Sequence, residues 1–162
     1  MIVYHGSNQV ILNPDVNHSK KYLDFGLGFY VTTFKNQAEK WAIRKASRYG
    51  GEPVVNIFEL PDNLDDYKVL SFKDENDKWL DFVCSCRKGL ELNKEYDIVI
   101  GNVANDDVFK TVDMYFRGLW DKERTIKELR YYKMNNQICL VKQSVLDNIL
   151  KYHSSYKVKI NG

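Results

Sequence analysis

The chain lacks most features that would tie it to a special environment. Cysteine is scarce, with only Cys84, Cys86 and Cys139 among 162 residues. An odd number does not close into a disulfide framework. Cys84-x-Cys86 lacks zinc-knuckle spacing and has no second pair. The three are expected to be reduced thiols of a cytosolic protein. Cys84 and Cys86 lie two apart on a predicted helix, so they point away from each other and cannot bridge. No apolar run approaches the roughly 18 residues of a membrane helix. Met1-Ile2-Val3-Tyr4 enters the first motif directly, so no signal peptide is expected and the cytoplasm is the expected location, with no membrane partner. The net charge of +2 is too small to imply a nucleic-acid partner by itself. There is no repeat, low-complexity tract or linker.

What is present is a chain long enough for one domain with a sizeable core, residues 1–162, and rich in tyrosine. Ile2 to His5 reads as a short strand ending at a glycine. Asn13-Pro14-Asp15 is a turn signal. His18 to Asp24 is polar, then aromatic, and reads as a mobile segment. Gly28 to Thr33 reads as a central strand. Thr33 or Asn36 would cap the helix that follows, which runs to about Ser47 and is closed by Tyr49-Gly50-Gly51.

Pro53 to Leu60 alternates and reads as a strand, as does Tyr67 to Phe72. A helix starting near Ser71 to Asp74 would bury Trp79, Phe82, Val83, Cys86 and Leu90 on one face. Tyr96 to Ile100 is a buried strand. Asn105 to Asp107 would cap a helix with Val108, Phe109, Val112, Tyr115 and Phe116 inward. A further helix spans about Lys122 to Tyr132, with Thr125-x-x-Glu128 early. Then come a strand at Gln137 to Val141, a short helix at Ser144 to Leu150 and a terminal strand at Tyr156 to Ile160. Strands and helices mix without βαβ alternation, which indicates a single α+β domain.

Three short motifs stand out in order: His5-Gly6-Ser7, then Gly26-Leu27-Gly28-Phe29-Tyr30 leading to Trp41, and last the strand begun by Gln137. Taken alone, each has an ordinary explanation. His5 reads as a hydrogen-bonded histidine at a strand end, Gly-x-Gly as a tight turn, Trp41 as a core aromatic and Gln137 as a polar strand start. Taken together, their order and spacing resemble the ADP-ribosyltransferase superfamily, in its diphtheria-toxin and poly(ADP-ribose) polymerase branch. The layout is also similar to a little-characterised bacterial group within it, regarded as toxins of toxin–antitoxin pairs. The departure is Gln137 where that branch usually has Glu.

The resemblance implies two split antiparallel sheets facing each other across an NAD cleft, with flanking helices. It implies that NAD is bound as co-substrate through His5, Gly6, Ser7, Gly28, Tyr30, Thr32 and Trp41, and that His5, Tyr30 and Gln137 carry the chemistry. His5 would hold the adenosine ribose, Gly6 would offer its backbone to the nicotinamide carboxamide, and Tyr30 and Trp41 would sandwich the cationic ring. Ala38 stands where relatives have a serine donor, which leaves Thr32 or water to replace it. An acid among Asp97 and Asp106, near Asn102 and Asn105, would partly replace the missing Glu. Lys20, Lys21, Arg44, Lys45 and Arg48 give the cleft a basic tint.

The activity implied is mono-ADP-ribosyl transfer to a protein or nucleic-acid acceptor, with an antitoxin protein as a further partner. The alternatives are a non-catalytic module binding NAD or ADP-ribose, or an interaction protein that keeps only the fold. A Gln137→Glu change is expected to keep or raise NAD cleavage.

Overall fold

Two sheets part from a single shared rung. In the computed structural model, which describes residues 1–19, 23–104, 106–129 and 135–160, strand β1 (Ile2–Ser7) pairs with β3 (Val54–Glu59), and β3 with β7 (Lys151–Lys157), all antiparallel. The second sheet has the order β2 (Phe29–Val31), β6 (Gln137–Leu140), β5 (Ile98–Gly101), β4 (Val69–Ser71). An isolated antiparallel bridge joins the sheets: Tyr4 N–H donates to the Thr32 carbonyl at 2.8 Å, and Thr32 N–H to the Tyr4 carbonyl at 2.9 Å. Beyond that rung, β1 and β2 continue in different sheets.

The expectation of wholly antiparallel sheets is corrected at one edge, where β4 runs parallel to β5. A parallel neighbour needs a crossover, and here it is α2 (Asp77–Arg87). The α+β class stands.

Strand β6 is buried along its whole length because both faces are covered. Ile138 and Leu140 face a core shared with Val3, Phe29, Phe58 and the helix α5 (Gln143–Ile149). Cys139, one residue out of phase, faces the opposite core with Phe25, Trp79, Val83 and Cys86. That second core also takes in Val108 and Val112 of α3 (Asp106–Phe116) and Leu129 of α4 (Lys122–Leu129). The period of two along β6 thus sorts its side chains into two cores.

Helix α1 (Lys35–Tyr49) buries only Ala38 and Ala42 fully. Small residues let it lie very close to β1. A Cβ on Gly6 would run into the Ala38 carbonyl and come within 2.6 Å of the Ala42 nitrogen. This leaves the Trp41, Lys45 and Arg48 side of α1 at a cleft rather than in a core.

Several boundaries differ from expectation. Phe34, not Thr33 or Asn36, is the N-cap of α1, with no side-chain cap of its own; the Thr32 hydroxyl accepts from Phe34 N–H at 3.1 Å instead. α2 begins after Asn76, whose side chain accepts from Trp79 N–H at 3.0 Å, because β4 takes up Ser71. Leu90 lies past its end and is exposed. α4 starts behind Asp121, which accepts from Arg124 N–H at 2.7 Å, while Thr125 bonds back to the Asp121 carbonyl. Phe116 is exposed, not inward. The last strand begins at Lys151, immediately after α5. Asn105, Lys20, Lys21 and residues 130–132 of the expected helix lie outside the described residues, as do the side chains of Asp106 and Phe109. Cys84, Cys86 and Cys139 are unpaired and buried. Among the described residues no helix is long and apolar enough to cross a membrane.

Candidate functional site

The divergence of β1 and β2 opens a cleft of about 1880 Å³. That exceeds the range of roughly 300–1,000 Å³ typical of small-ligand pockets. His5, Gly6 and Ser7 reach it from β1, Gly28 and Tyr30 from β2, Trp41 from α1 and Gln137 from the start of β6. Seven of the eight residues singled out from sequence therefore line one cleft. The exception is Thr32. It is fully buried, and its hydroxyl is committed to the Asn136 side chain at 2.9 Å.

His5 is held on two sides. Its ring stacks on Phe29, with centroids 4.3 Å apart. Its Nδ1 lies 2.6 Å from the Tyr30 carbonyl, which can only accept, so Nδ1 carries the proton and donates. Burial, and then the nearby Lys45 charge, push the His5 pKa down to about 3, against a smaller opposing effect of the Tyr30 hydrogen bond. His5 is therefore a neutral imidazole near pH 7, and its Nε2 is an acceptor. Lys45 Nζ stands 3.5 Å from that Nε2. Burial in turn lowers the Lys45 pKa.

Tyr30 does more than present a ring. Its hydroxyl donates to the Gly26 carbonyl at 2.5 Å and accepts from Phe25 N–H at 3.1 Å. This clamps the turn Leu23–Gly26, where Gly26 has a φ of 76°. Desolvation, followed by the neighbouring Cys139 and Asp24, raises the Tyr30 pKa well above its ordinary value. Trp41 is half-buried and belongs to none of the apolar cores. It is not in ring contact with Tyr30.

Both glycines have structural causes that need no ligand. Gly6 makes room for α1. At Gly28 a Cβ would come within 2.8 Å of the Leu140 carbonyl on the paired strand. Gly28 N–H is itself taken by the Ser19 hydroxyl at 3.1 Å.

The clamped turn carries a residue absent from the sequence-derived site. Asp24 is buried, 8 % exposed, and sits beside Gln137. Its Oδ2 accepts from Gln137 Nε2 at 3.1 Å and from Ala104 N–H at 2.9 Å. Its Oδ1 accepts from Arg87 Nε at 3.0 Å and Nη2 at 2.6 Å. Gln137 Nε2 also approaches the Asn102 carbonyl at 3.4 Å. The carboxylate beside Gln137 is thus Asp24 rather than Asp97. Asp97 is bound to Lys142 Nζ and to Lys68 N–H and is not on the cleft.

Asp24 and Arg87 both line the cleft with Gln137. The sequence signal for Asp24 was slight: one acid placed directly before Phe25-Gly26. Ala38 is fully buried against β1 and offers no donor. On the next turn face, Gln37 donates from Nε2 to the Asn136 carbonyl at 2.7 Å, while its buried Oε1 has no partner among the described residues. Lys40, Arg44 and Arg48 line the cleft at successive i, i+4 positions of α1.

Fold and site together define an α+β domain whose two sheets part around one wide cleft, with a neutral histidine at one wall and, at another, buried Asp24 and Gln137 joined to half-buried Arg87. Residues 1–152 match the family described as "Protein of unknown function (DUF3990)", and the chain belongs to that family. No curated protein and no solved structure matches the chain.

Proposed function

We propose that this domain cleaves the nicotinamide–ribose bond of NAD and transfers a single ADP-ribosyl unit to a macromolecule. The observation that carries the reading is the meeting of His5, Tyr30, Trp41 and Gln137, drawn from four separate elements, on one cleft. The neutral state of His5 suits the role, because an acceptor Nε2 can take a hydrogen bond from a ribose hydroxyl. Trp41, half-buried and outside the cores, is suited to stacking against a cationic pyridinium, an interaction of about 1–2 kcal/mol when desolvated. Gln137 lends a carbonyl dipole rather than a charge, which favours slow single transfer over chain elongation. In a cell this activity is that of a toxin held by an antitoxin protein.

A second reading is a module that binds NAD or ADP-ribose without chemistry. One observation favours it: the acid nearest Gln137 is already paired with Arg87, which weakens its field on a growing cation. Incubating the purified chain with NAD and measuring released nicotinamide separates the two. Release that disappears in Gln137→Ala supports transfer. Calorimetric binding of NAD with no release supports the binding module. Neither binding nor release excludes both.

A further inference from the structure

We infer that Asp24 supplies this site's carboxylate from the β2 side of the cleft and fixes the Gln137 amide so that its carbonyl oxygen faces the ligand. The inference rests on the NAD reading for the identity of that ligand, and on hydrogen-bond geometry for everything else.

Four bonds reach the Asp24 carboxylate, and all four come from N–H donors: two from Arg87, one from Ala104 and one from Gln137. An acceptor-only group at the end of a glutamine side chain determines which way the amide turns. Nε2 is drawn to Asp24 and the Asn102 carbonyl, both acceptors. Oε1 would meet only lone pairs there, so the reverse orientation is disfavoured. Among the described residues no donor reaches Oε1, and Gln137 lines the cleft. The carbonyl end is the one left for a ribose hydroxyl. Asp24 is accordingly a positioning residue that acts through Gln137.

Its own place is fixed by the cleft. The Tyr30 hydroxyl bonds the backbone of both residues that follow it, at Phe25 N–H and the Gly26 carbonyl. Arg87 reaches it from the end of α2, and Ala104 from the loop after β5. Three separate segments therefore converge on one buried carboxylate, and a fourth clamps the turn that follows it.

This placement reverses the sequence-based expectation for Gln137→Glu. A glutamate would bring a second carboxylate to where an amide now donates at 3.1 Å. Two carboxylates so close do not both ionise readily, and one holds a proton. The single change should then lower turnover, not raise it. Exchanging the two groups, Asp24→Asn with Gln137→Glu, keeps the net charge and restores an amide–carboxylate hydrogen bond with its partners reversed.

The test uses the full chain in four forms: wild type, Asp24→Asn, Gln137→Glu and the double exchange. One arm needs no activity. In amide-detected NMR of the wild type, the Gln137 side-chain NH2 should be shifted and slow to exchange. Asp24→Asn should return it to the free-glutamine position. An unchanged resonance in Asp24→Asn would overturn the inference, whatever the ligand.

The second arm is nicotinamide release from NAD. Each single variant should lose about tenfold or more in kcat with NAD affinity kept within a fewfold, and the double exchange should recover most of the loss. A double variant no better than the worse single, or a Gln137→Glu that alone raises release, also overturns it. If wild type neither binds nor cleaves NAD, the functional reading fails, while the NMR arm still decides the Asp24–Gln137 link.

Discussion

Lowering the pH should destabilise this protein through His5, by an amount its burial fixes. The imidazole is 8 % exposed and its pKa falls from 6.5 to about 3 on folding. The charged form is disfavoured in the fold, so the unfolded chain binds the proton more readily. Stability is then fully present above the unfolded value and is lost as pH falls towards the folded one. Between those limits the loss approaches about 1.4 kcal/mol per pH unit. Near pH 5 it should reach about 2 kcal/mol relative to neutral pH.

The groups facing the ring explain the sign. Phe29 packs on its face, Tyr30 offers a carbonyl that Nδ1–H already occupies, and Lys45 Nζ faces Nε2. A proton on Nε2 would have no acceptor and would meet a cation. The comparison is with His5→Asn, in which the side chain cannot titrate but keeps an N–H for the Tyr30 carbonyl. His18, His153 and Lys45 remain in both proteins. Melting temperature, followed by circular dichroism from about pH 7.5 to about pH 5, should fall by some 4–8 °C more in the wild type than in the variant. Equal falls would refute the reasoning, because His5 would then gain its proton as easily folded as unfolded.

Three further outcomes follow from the same geometry. Trp41→Ala should weaken NAD or nicotinamide binding by about 1–3 kcal/mol in calorimetric titration, and a lower melting temperature with unchanged affinity would make Trp41 a packing residue. Gly6→Ala should lose about 2–3 kcal/mol in denaturant unfolding, because the added carbon meets α1 backbone that cannot turn aside, and a neutral result would mean α1 yields freely. Tyr30→Phe keeps the ring and removes the clamp on Phe25 and Gly26. It should cost about 1–3 kcal/mol of stability and speed exchange of the Phe25 amide, whereas unchanged exchange would show that the turn holds itself.

The motifs were legible because each rests on a backbone need. Gly6 lies within β1 where α1 backbone leaves no room for a Cβ, and Gly28 precedes a strand whose partner allows no Cβ. Alternation revealed β3, whose side chains divide between two faces. It did not reveal β7: Lys151 to Lys157 is polar and largely exposed, so its pairing with β3 leaves no apolar rhythm. The direction of β4 was also hidden, since pairing sense is a property of the partner, not of the strand's own residues.

At the site, Asp24 was missed because its partners lie far along the chain, at Arg87, Ala104 and Gln137. Thr32 was placed on the cleft to replace the serine donor missing at Ala38. The asparagine that takes it, Asn136, is 104 residues away.

Cleavage of NAD with help from the Gln137 carbonyl, as proposed, can be read from a single product. Its most direct measurement is nicotinamide released from NAD by purified wild type beside Gln137→Ala, with both shown to be folded. The wild type should release nicotinamide slowly, and the variant should drop to the uncatalysed level. Equal release by the two proteins, or none by either, would contradict the proposal.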